Sequence, residues 1–330
     1  MKKKKWLFIG IGIILLIGLG VSFYSYHNYL KEQDRIKKQL KLEEDTTLKY
    51  QYFAKNETSE ESDKISLYFN KIIDEENPEY MAVAFDIGKN FRKDKYQDYK
   101  AGRHETPQDL KLQMPVAREI LDKMGIKHFE LEPYEADDII GTLAKMADND
   151  PDFDATIVSS DRDLLQLISD VVDVKLLKQK GHIRYNPQTF YEDYKIAPIN
   201  IIDLKALAGD SSDNIPGVKG VGEKTALTLL QKYTTLENIY DHIDEIKGKL
   251  QEKLINDKDN AFFSKEIATI YRDVPLNIKD LEDITYEKNF NKELYDLFVE
   301  LEFYSFIKNS EKDKNTSSSV EFIKLDNLEN

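Results

Sequence analysis

The stretch Gly209–Ala226, "GDSSDNIPGVKGVGEKTA", opposes two chemistries within eighteen positions. Its first half carries two carboxylates three apart, Asp210 and Asp213. Its second half is glycine-rich and basic, with Lys219 and Lys224 beside Gly217, Gly220 and Gly222. The first half should repel a polyanion and the second attract one. Glycines at this density permit positive φ and close backbone approach, so Ile215–Gly222 reads as a tight hairpin. The run "EKTALTLLQKY" that follows reads as a helix whose first N–H groups point outward, an arrangement suited to phosphate. A plain turn between core helices is the alternative reading. The spacing fits no G-x-x-x-x-G-K-[ST] nucleotide loop, and a helical region precedes it where that loop needs a strand.

Upstream, apolar strand-like runs alternate with helical patterns. "YMAVAFD" (80–86) and "DATIVSSDRD" (154–163) are apolar and end in acids, while "EADDIIGTLAKMA" (135–147) has helical spacing. Alternation of this kind implies a mostly parallel sheet with helices on its faces. Ligands of such sheets sit beyond the carboxyl ends of the strands. Asp86 and Asp161 fall there, with Asp163 two residues on. Glu135, Asp137 and Asp138 start a helix, where its dipole tolerates negative charge. With Asp210 and Asp213, eight acids could converge. Two carboxylates 4 Å apart repel by about 4 kcal/mol at an effective dielectric near 20, so such a set calls for cations. Oxygen ligands suit magnesium or manganese, and two such ions form a site for displacement at phosphorus. Taken singly, each acid also reads as an ordinary cap or solvated turn.

A basic segment follows Asp86: "KNFRKDKYQDYKAGRHE" sets Lys89, Arg92, Lys93, Lys95, Lys100 and Arg103 among Phe91, Tyr96 and Tyr99. Bases interleaved with aromatics suit single-stranded or frayed nucleic acid, and equally a solvated helix face. The 330-residue chain is acidic overall, with net charge −14, which argues against a nonspecific coat on nucleic acid. It has no cysteine, which excludes disulfides and thiolate zinc sites. The hydrophobic fraction of 41% is that of a globular protein.

The N-terminus, "MKKKKWLFIGIGIILLIGLGVSFYSYHNYL", is uncharged from Trp6 to about Tyr26. About 20 apolar residues cross the roughly 30 Å hydrocarbon core of a bilayer. The expectation is therefore a single-pass membrane anchor (residues 1–30, spanning 6–26) and location at the cell membrane. Basic residues flank both ends, so orientation stays open. Residues 31–60 read as a polar linker and degenerate domain start, 61–200 as the α/β domain, 201–308 as an all-helical module, and 309–330 as a disordered tail.

The motifs "AFD", "FRKDKYQDYKAGR", "YEADDIIGTLA", "SSDRDLLQL" and "ALAGDSSDNIPGVKGVGEKTA", in this order, resemble the 5′-nuclease domain of bacterial DNA polymerase I and the flap endonuclease superfamily. The resemblance covers about residues 72–308. It implies a PIN-like α/β domain with a mostly parallel sheet and a helical arch, followed by an all-helical helix–hairpin–helix module of the H3TH type. It implies two divalent ions, Mg²⁺ or Mn²⁺, and DNA with 5′ ends or flaps as partner. Carried over, Asp86, Glu135, Asp137, Asp138 and Asp161 match the first-metal ligands or their water-mediated supports, and Asp163, Asp210 and Asp213 the second-metal set. Arg92, Lys100 and Arg103 match arch residues near the scissile phosphate. The hairpin residues Gly217, Val218, Lys219, Gly220 and Gly222, with Lys224 and Thr225, match the DNA grip, which in relatives holds a monovalent cation such as K⁺. Relatives open on a strand ending in a "LIDGN"-like motif whose Asp is a ligand. No such motif opens this chain, and Asp45 within "LEEDTTLKYQYFA" (42–54) is the one candidate substitute. No polymerase portion is expected after residue 308. A binding module with reduced or lost catalysis, or a ribonuclease of the same fold, are the competing readings.

Overall fold

Six short strands build the sheet, and the apolar run at the N-terminus is one of them. The computed structural model describes residues 5–11, 73–103, 108–178, 181–288, 290–301, 303 and 307. Two compact units result. The first takes in residues up to 14, Glu76–Pro107 and Gly125–Glu287; the second takes in residues 15–75, Gln108–Met124 and residues from 288 onward.

In the first unit, β1 (Lys5–Ile11), β2 (Tyr80–Ala84), β3 (Lys127–Phe129), β4 (Phe153–Ser159) and β5 (Val172–Leu177) lie parallel. The short β6 (His182–Tyr185) closes one edge antiparallel to β5. The order is β3-β2-β1-β4-β5-β6. The chain winds outward from β1 in one direction, then returns and winds outward from β4 in the other. The reversal point between β1 and β4 is where sheets of this kind place their ligands. All five residues of β2 are buried, as are six of the seven in β4. Burial on both faces explains why these strands read as continuous apolar runs and not as an alternation.

The strand Lys5–Ile11 replaces the first residues, 6–11, of the expected membrane helix. An apolar run of this length fits a buried strand as well as a helix segment. Here it is hydrogen-bonded on both sides, with Ile9 opposite Ala82 of β2 and Ile157 of β4. β1 ends at Ile11, opposite Ala84. Residues 12–26, the linker with Asp45, and the tail 309–330 lie outside the described residues. Among the described residues no helix is long and apolar enough to cross a membrane.

The helices of the first unit are α1 (Phe91–Lys95), α3 (Ala136–Asp148), α4 (Pro187–Tyr194), α5 (Ile201–Ala208), α6 (Glu223–Tyr233), α7 (Leu236–Asp241), α8 (Lys249–Asn256) and α9 (Lys258–Ala268). Helix α3 puts Ile139, Ile140, Leu143, Ala144 and Ala147 into the core, all fully buried. That core continues without a break into Leu204, Leu207, Leu229, Leu230 and Leu236 of the helical part. In the second unit, α2 (Gln108–Met124) and α10 (Lys292–Glu300) are joined by an ion pair of 2.6 Å between Lys123 and Glu293. Residues 104–107, where the arch would pass, are outside the described residues.

A proline at position 9 would remove a ladder N–H from the central strand, at a cost of about 3 kcal/mol or more. The variant Ile9→Pro is expected to lower the urea midpoint of the folded chain and the hydrogen-exchange protection of Phe8–Gly10. If these residues served only as an anchor, neither measurement would change.

Candidate active site

The segment Gly209–Gly217 closes on itself. Asp210 and Ile215 exchange backbone hydrogen bonds of 2.9 and 2.8 Å. Gly209 (φ +72°) and Gly217 (φ +61°) lie so close that a Cβ on Gly217 would sit 2.3 Å from the nitrogen of Gly209. Any side chain at Gly217 would both clash there and occupy a disfavoured backbone region. This contact presents the Asp210–Asp213 turn on one side and launches the hairpin on the other. The opposed halves of the motif are therefore one closed backbone unit.

Asp210 accepts from Ser212 N–H at 2.8 Å, Ser212 hydroxyl at 2.6 Å and Lys205 Nζ at 2.5 Å. Burial alone would raise its pKa; Lys205 and Ser212 outweigh that and hold it down at about 2. The Lys205 ammonium also contacts Asp163. Asp163 is nevertheless pushed up to about 6, by burial first and by Asp161 and Asp210, against the pull of Lys205. Asp161 heads the 3₁₀ turn Arg162–Leu167 and accepts from Asp163 N–H at 2.9 Å. Asp86, just past β2, accepts from Ala136 N–H at 2.7 Å and so docks on the first turn of α3. Asp137, in that turn, is driven well above the usual carboxylate range by burial and by the fields of Asp161, Asp86 and Asp163, with Lys100 opposing. The β2 and β4 ends, the start of α3 and the Asp210 turn thus share one electrostatic field.

Glu135 and Asp213 are linked by the segment after α1. Tyr99, 3% exposed, directs its hydroxyl at Glu135 (3.0 Å) and Asp213 (3.3 Å). Lys100 reaches Glu135 at 2.5 Å and Asp213 at 3.9 Å. Arg103 pairs with Asp213 through Nη2. Lys100 N–H also donates to the Asp213 carbonyl at 2.9 Å. Lys100 and Arg103 are both shifted up: burial opposes the charge, and Glu135 or Asp213 more than restores it.

Two expectations need correcting. Arg92 is not placed at a phosphate surface. It is 3% exposed, and its guanidinium donates to Glu135 (3.0 Å), to both oxygens of Asp138 (2.8 and 2.7 Å) and to the carbonyls of Ile267 (3.0 Å) and Thr269 (2.8 Å). Asp138 is fully buried and also accepts from the N–H groups of Glu135 and Tyr271, so its lone pairs are committed within the protein. The sequence shows a charge but not its depth. Among the described residues no three acids stand together as a ready-made metal cage. Their charge is balanced in part by Lys100, Arg103 and Lys205. Lys205 was missed in the sequence, and Tyr99 was read there only as an aromatic of the basic segment. The available signal for Lys205 was a lone cation inside the apolar run "IIDLKALA".

In the hairpin, Val218 is buried and donates to Leu207 O at 2.8 Å, while Gly217 N–H is taken by Ser264 Oγ at 2.9 Å. Lys219, Gly220, Gly222 and Lys224 are exposed, and Thr225 is half-buried. Gly222 begins α6 without a side-chain cap. The Gly220 carbonyl, a candidate ligand for the expected monovalent cation, accepts from Lys253 Nζ at 2.7 Å.

Taken together, a resolvase-like α/β domain with an acid-lined rim, running directly into a helical hairpin domain, defines the two-part build of a 5′-nuclease. Two family models match end to end: the 5′-3′ exonuclease N-terminal resolvase-like domain over residues 45–195, and the 5′-3′ exonuclease C-terminal SAM fold over residues 196–292. The chain belongs to the 5′-3′ exonuclease family. It is 47% identical to DNA polymerase I of Bacillus caldotenax over 251 residues, 74% of this chain and 28% of that one. It is 42% identical to DNA polymerase I of Streptococcus pneumoniae over 291 residues, 87% of this chain and 30% of that one. The chain thus spans less than a third of the length of these relatives. Its fold is similar to the T5 flap endonuclease in complex with DNA and metal ions (TM-score 0.58, 18% identity, 90% of this chain and 100% of that one). It is likewise similar to T5 5′-exonuclease with bound zinc (TM-score 0.55, 20% identity, 81% and 90%).

Removing Arg92 strands two buried acids, which costs about 3–5 kcal/mol. Arg92→Met is expected to show that loss in urea denaturation, and Arg92→Lys to recover little of it, because lysine lacks the fork. A variant as stable as the parent would return Arg92 to the surface.

Asp163 titrates near 6 when folded and near 3.9 when unfolded. Its ionisation therefore opposes folding fully above pH about 6, and the penalty fades as pH falls toward about 4. In EDTA, Asp163→Asn should be more stable than the parent at pH 7.5, with the gain shrinking toward pH 4.5. A gain independent of pH would disprove the assignment.

Proposed function

We propose that this chain is a divalent-metal-dependent 5′-3′ exonuclease and flap endonuclease that hydrolyses phosphodiesters near DNA 5′ ends. One observation carries the reading: acids from two strand ends, one helix start and the Asp210 turn share a single field, and the phosphate-binding hairpin grows from that same turn.

The donors fit hard divalent cations. They are all oxygen, and Asp137 is destabilised as an anion by burial and by Asp161 and Asp86. Asp86, Asp137 and Asp161 would hold one ion, with Glu135 oriented behind them. Asp163, Asp210 and Asp213 would hold the other. When bound, such ions lower the pKa of water and neutralise charge on the phosphoryl oxygens.

The chain's own residues do the rest. Lys100 and Arg103, resting on Glu135 and Asp213, are the cations nearest the acids from the arch side. Moving from carboxylate to scissile phosphate would place charge where it develops in the transition state. Tyr99 fixes the spacing between Glu135 and Asp213. Lys219, Lys224 and the open N-terminus of α6 hold a backbone phosphate at a set distance from the cut. Arg92 and Asp138 set the frame and touch no substrate.

The first strand ends without its acid, so weak binding of one ion is part of the proposal. Activity should be present but demand more metal than in a relative with the full set. Asp45→Asn tests whether Asp45, outside the described residues, compensates. Membrane attachment rests on residues 12–26 once Lys5–Ile11 lies in the sheet; fractionation of cells carrying the full chain tests it.

The deciding experiment is cleavage of a labelled 5′-flap duplex with and without Mg²⁺ or Mn²⁺, beside a flap of RNA. Metal-dependent release of the DNA flap is expected, lost by more than tenfold in Asp161→Ala with binding retained. Binding without cleavage in either metal would leave a DNA-binding module, and preference for the RNA flap a ribonuclease.

A further inference from the structure

Lys253, on α8, belongs to none of the motifs singled out in the sequence. Its ammonium donates to the carbonyl of Gly220 at 2.7 Å, across 33 residues of chain. The rest of the side chain lies along the hairpin: a Cβ on Gly220 would sit 2.8 Å from Nζ and 3.2 Å from Cε. Asp257, just past α8, holds the same hairpin by accepting from Lys219 N–H at 2.8 Å. Helix α8 thus grips the hairpin tip at two adjacent residues, once through a cation and once through an acid.

The cation is not spent. Lys253 makes no ion pair with a described acid, and an ammonium has three donors, of which Gly220 takes one. Of the acids around it, Glu252 precedes it in the chain, Asp257 is engaged on Lys219 N–H, and Glu223, beside the hairpin, pairs with Arg162 at 3.1 Å. Around Lys253 stand the exposed Lys219 and Lys224 and the uncapped start of the eleven-residue α6. The Gly220 carbonyl would otherwise present a negative dipole to any phosphate approaching this tip. Capped by Lys253, it presents a positive charge. Pinning the side chain also removes in advance much of the rotamer entropy that a free lysine loses on contact.

We propose that Lys253 is a DNA-contacting residue of the hairpin: held on the Gly220 carbonyl, its ammonium binds a backbone phosphate together with Lys219 and the N-terminus of α6. The proposal rests on the reading of this chain as a DNA nuclease and adds a third cation, from a separate helix, to its grip.

The test is equilibrium binding of a labelled 5′-flap duplex to the full chain in EDTA, over a series of KCl concentrations. Lys253→Met keeps the length and removes the charge. It should weaken binding about tenfold, the size of one charge-assisted hydrogen bond. It should also lower the slope of log K against log salt by about 0.9, the signature of one lost phosphate contact. Lys253→Arg should retain the slope. An unchanged slope in Lys253→Met, whatever its melting temperature, overturns the proposal and leaves Lys253 as a brace for the hairpin. Should Lys253→Met fail to fold, acylation of the parent protein decides. Flap DNA should slow modification of Lys253 but not of Lys145, which stands on α3 and pairs with Asp273. Equal rates with and without DNA overturn the proposal. A parent chain that does not bind the duplex fails the functional reading itself, whereas binding with no Lys253 effect fails this inference alone.

Discussion

The buried guanidinium of Arg92 is the joint on which the first unit depends. It stands on α1, and its five N–H groups meet two other pieces of chain. Glu135 and Asp138 belong to the start of α3, while Ile267 O and Thr269 O belong to the end of α9. The α9 end presents carbonyls without helical partners, the negative pole of that helix. The α3 start supplies the two carboxylates. One planar cation thus satisfies acceptors from the sheet domain and from the helical domain at once. A buried ion pair is a weak source of net stability, because desolvation offsets attraction. Its contribution here is geometric. It fixes α3, which carries Glu135 and Asp137, against the helices that carry the hairpin.

Around that joint the charges form a graded series. Asp138 is saturated and sealed. Glu135 shares its oxygens between the buried Arg92 and the more accessible Lys100. Asp213 is held by Lys100 and Arg103, the latter half-exposed. Asp137 and Asp163, at the end of the series, are compensated poorly enough that both are shifted up. Strongly perturbed acids in a cluster mark a functional site more often than a structural one. The gradient from sealed to strained separates the acids that build the frame from those that can serve chemistry.

Much of this was legible in the sequence, and the failures have physical causes. Strand ends carrying Asp86 and Asp161, the helix start at Glu135 and the hairpin at Gly217 all follow from periodicity and glycine placement. Residues 6–11 were read as the start of a membrane span because an apolar run does not by itself separate a strand from a helix segment. Only the ladders to Ala82 and Ile157 do so. Arg92 and Lys100 stand in one basic motif eight residues apart, yet one is a buried strut and the other rests at the site. Composition reports that a charge exists; burial is decided by what packs over it, here Ile267 and Thr269 from far along the chain. Lys253 was illegible for the same reason, since its partner Gly220 lies on another segment.

The closed loop from Gly209 to Gly217 gives the site its ruler. The Asp210 turn and the hairpin could have been separate loops joined by a linker, and their distance would then vary with thermal motion. Instead the backbones of Gly209 and Gly217 touch, and the Asp210–Ile215 bridge locks the turn between them. Ser264 on α9 pins Gly217 N–H, and the carbonyl of Ile267, one turn further on the same helix, meets Arg92. The path from hairpin to acids therefore runs through rigid helix and closed backbone, with no free torsion long enough to let the two drift. An acidic protein can hold a polyanion this way because attraction and repulsion are kept at fixed separate points. In the proposed reading, the cations at the hairpin would face one phosphate while the strained carboxylates, a set distance away, would face another.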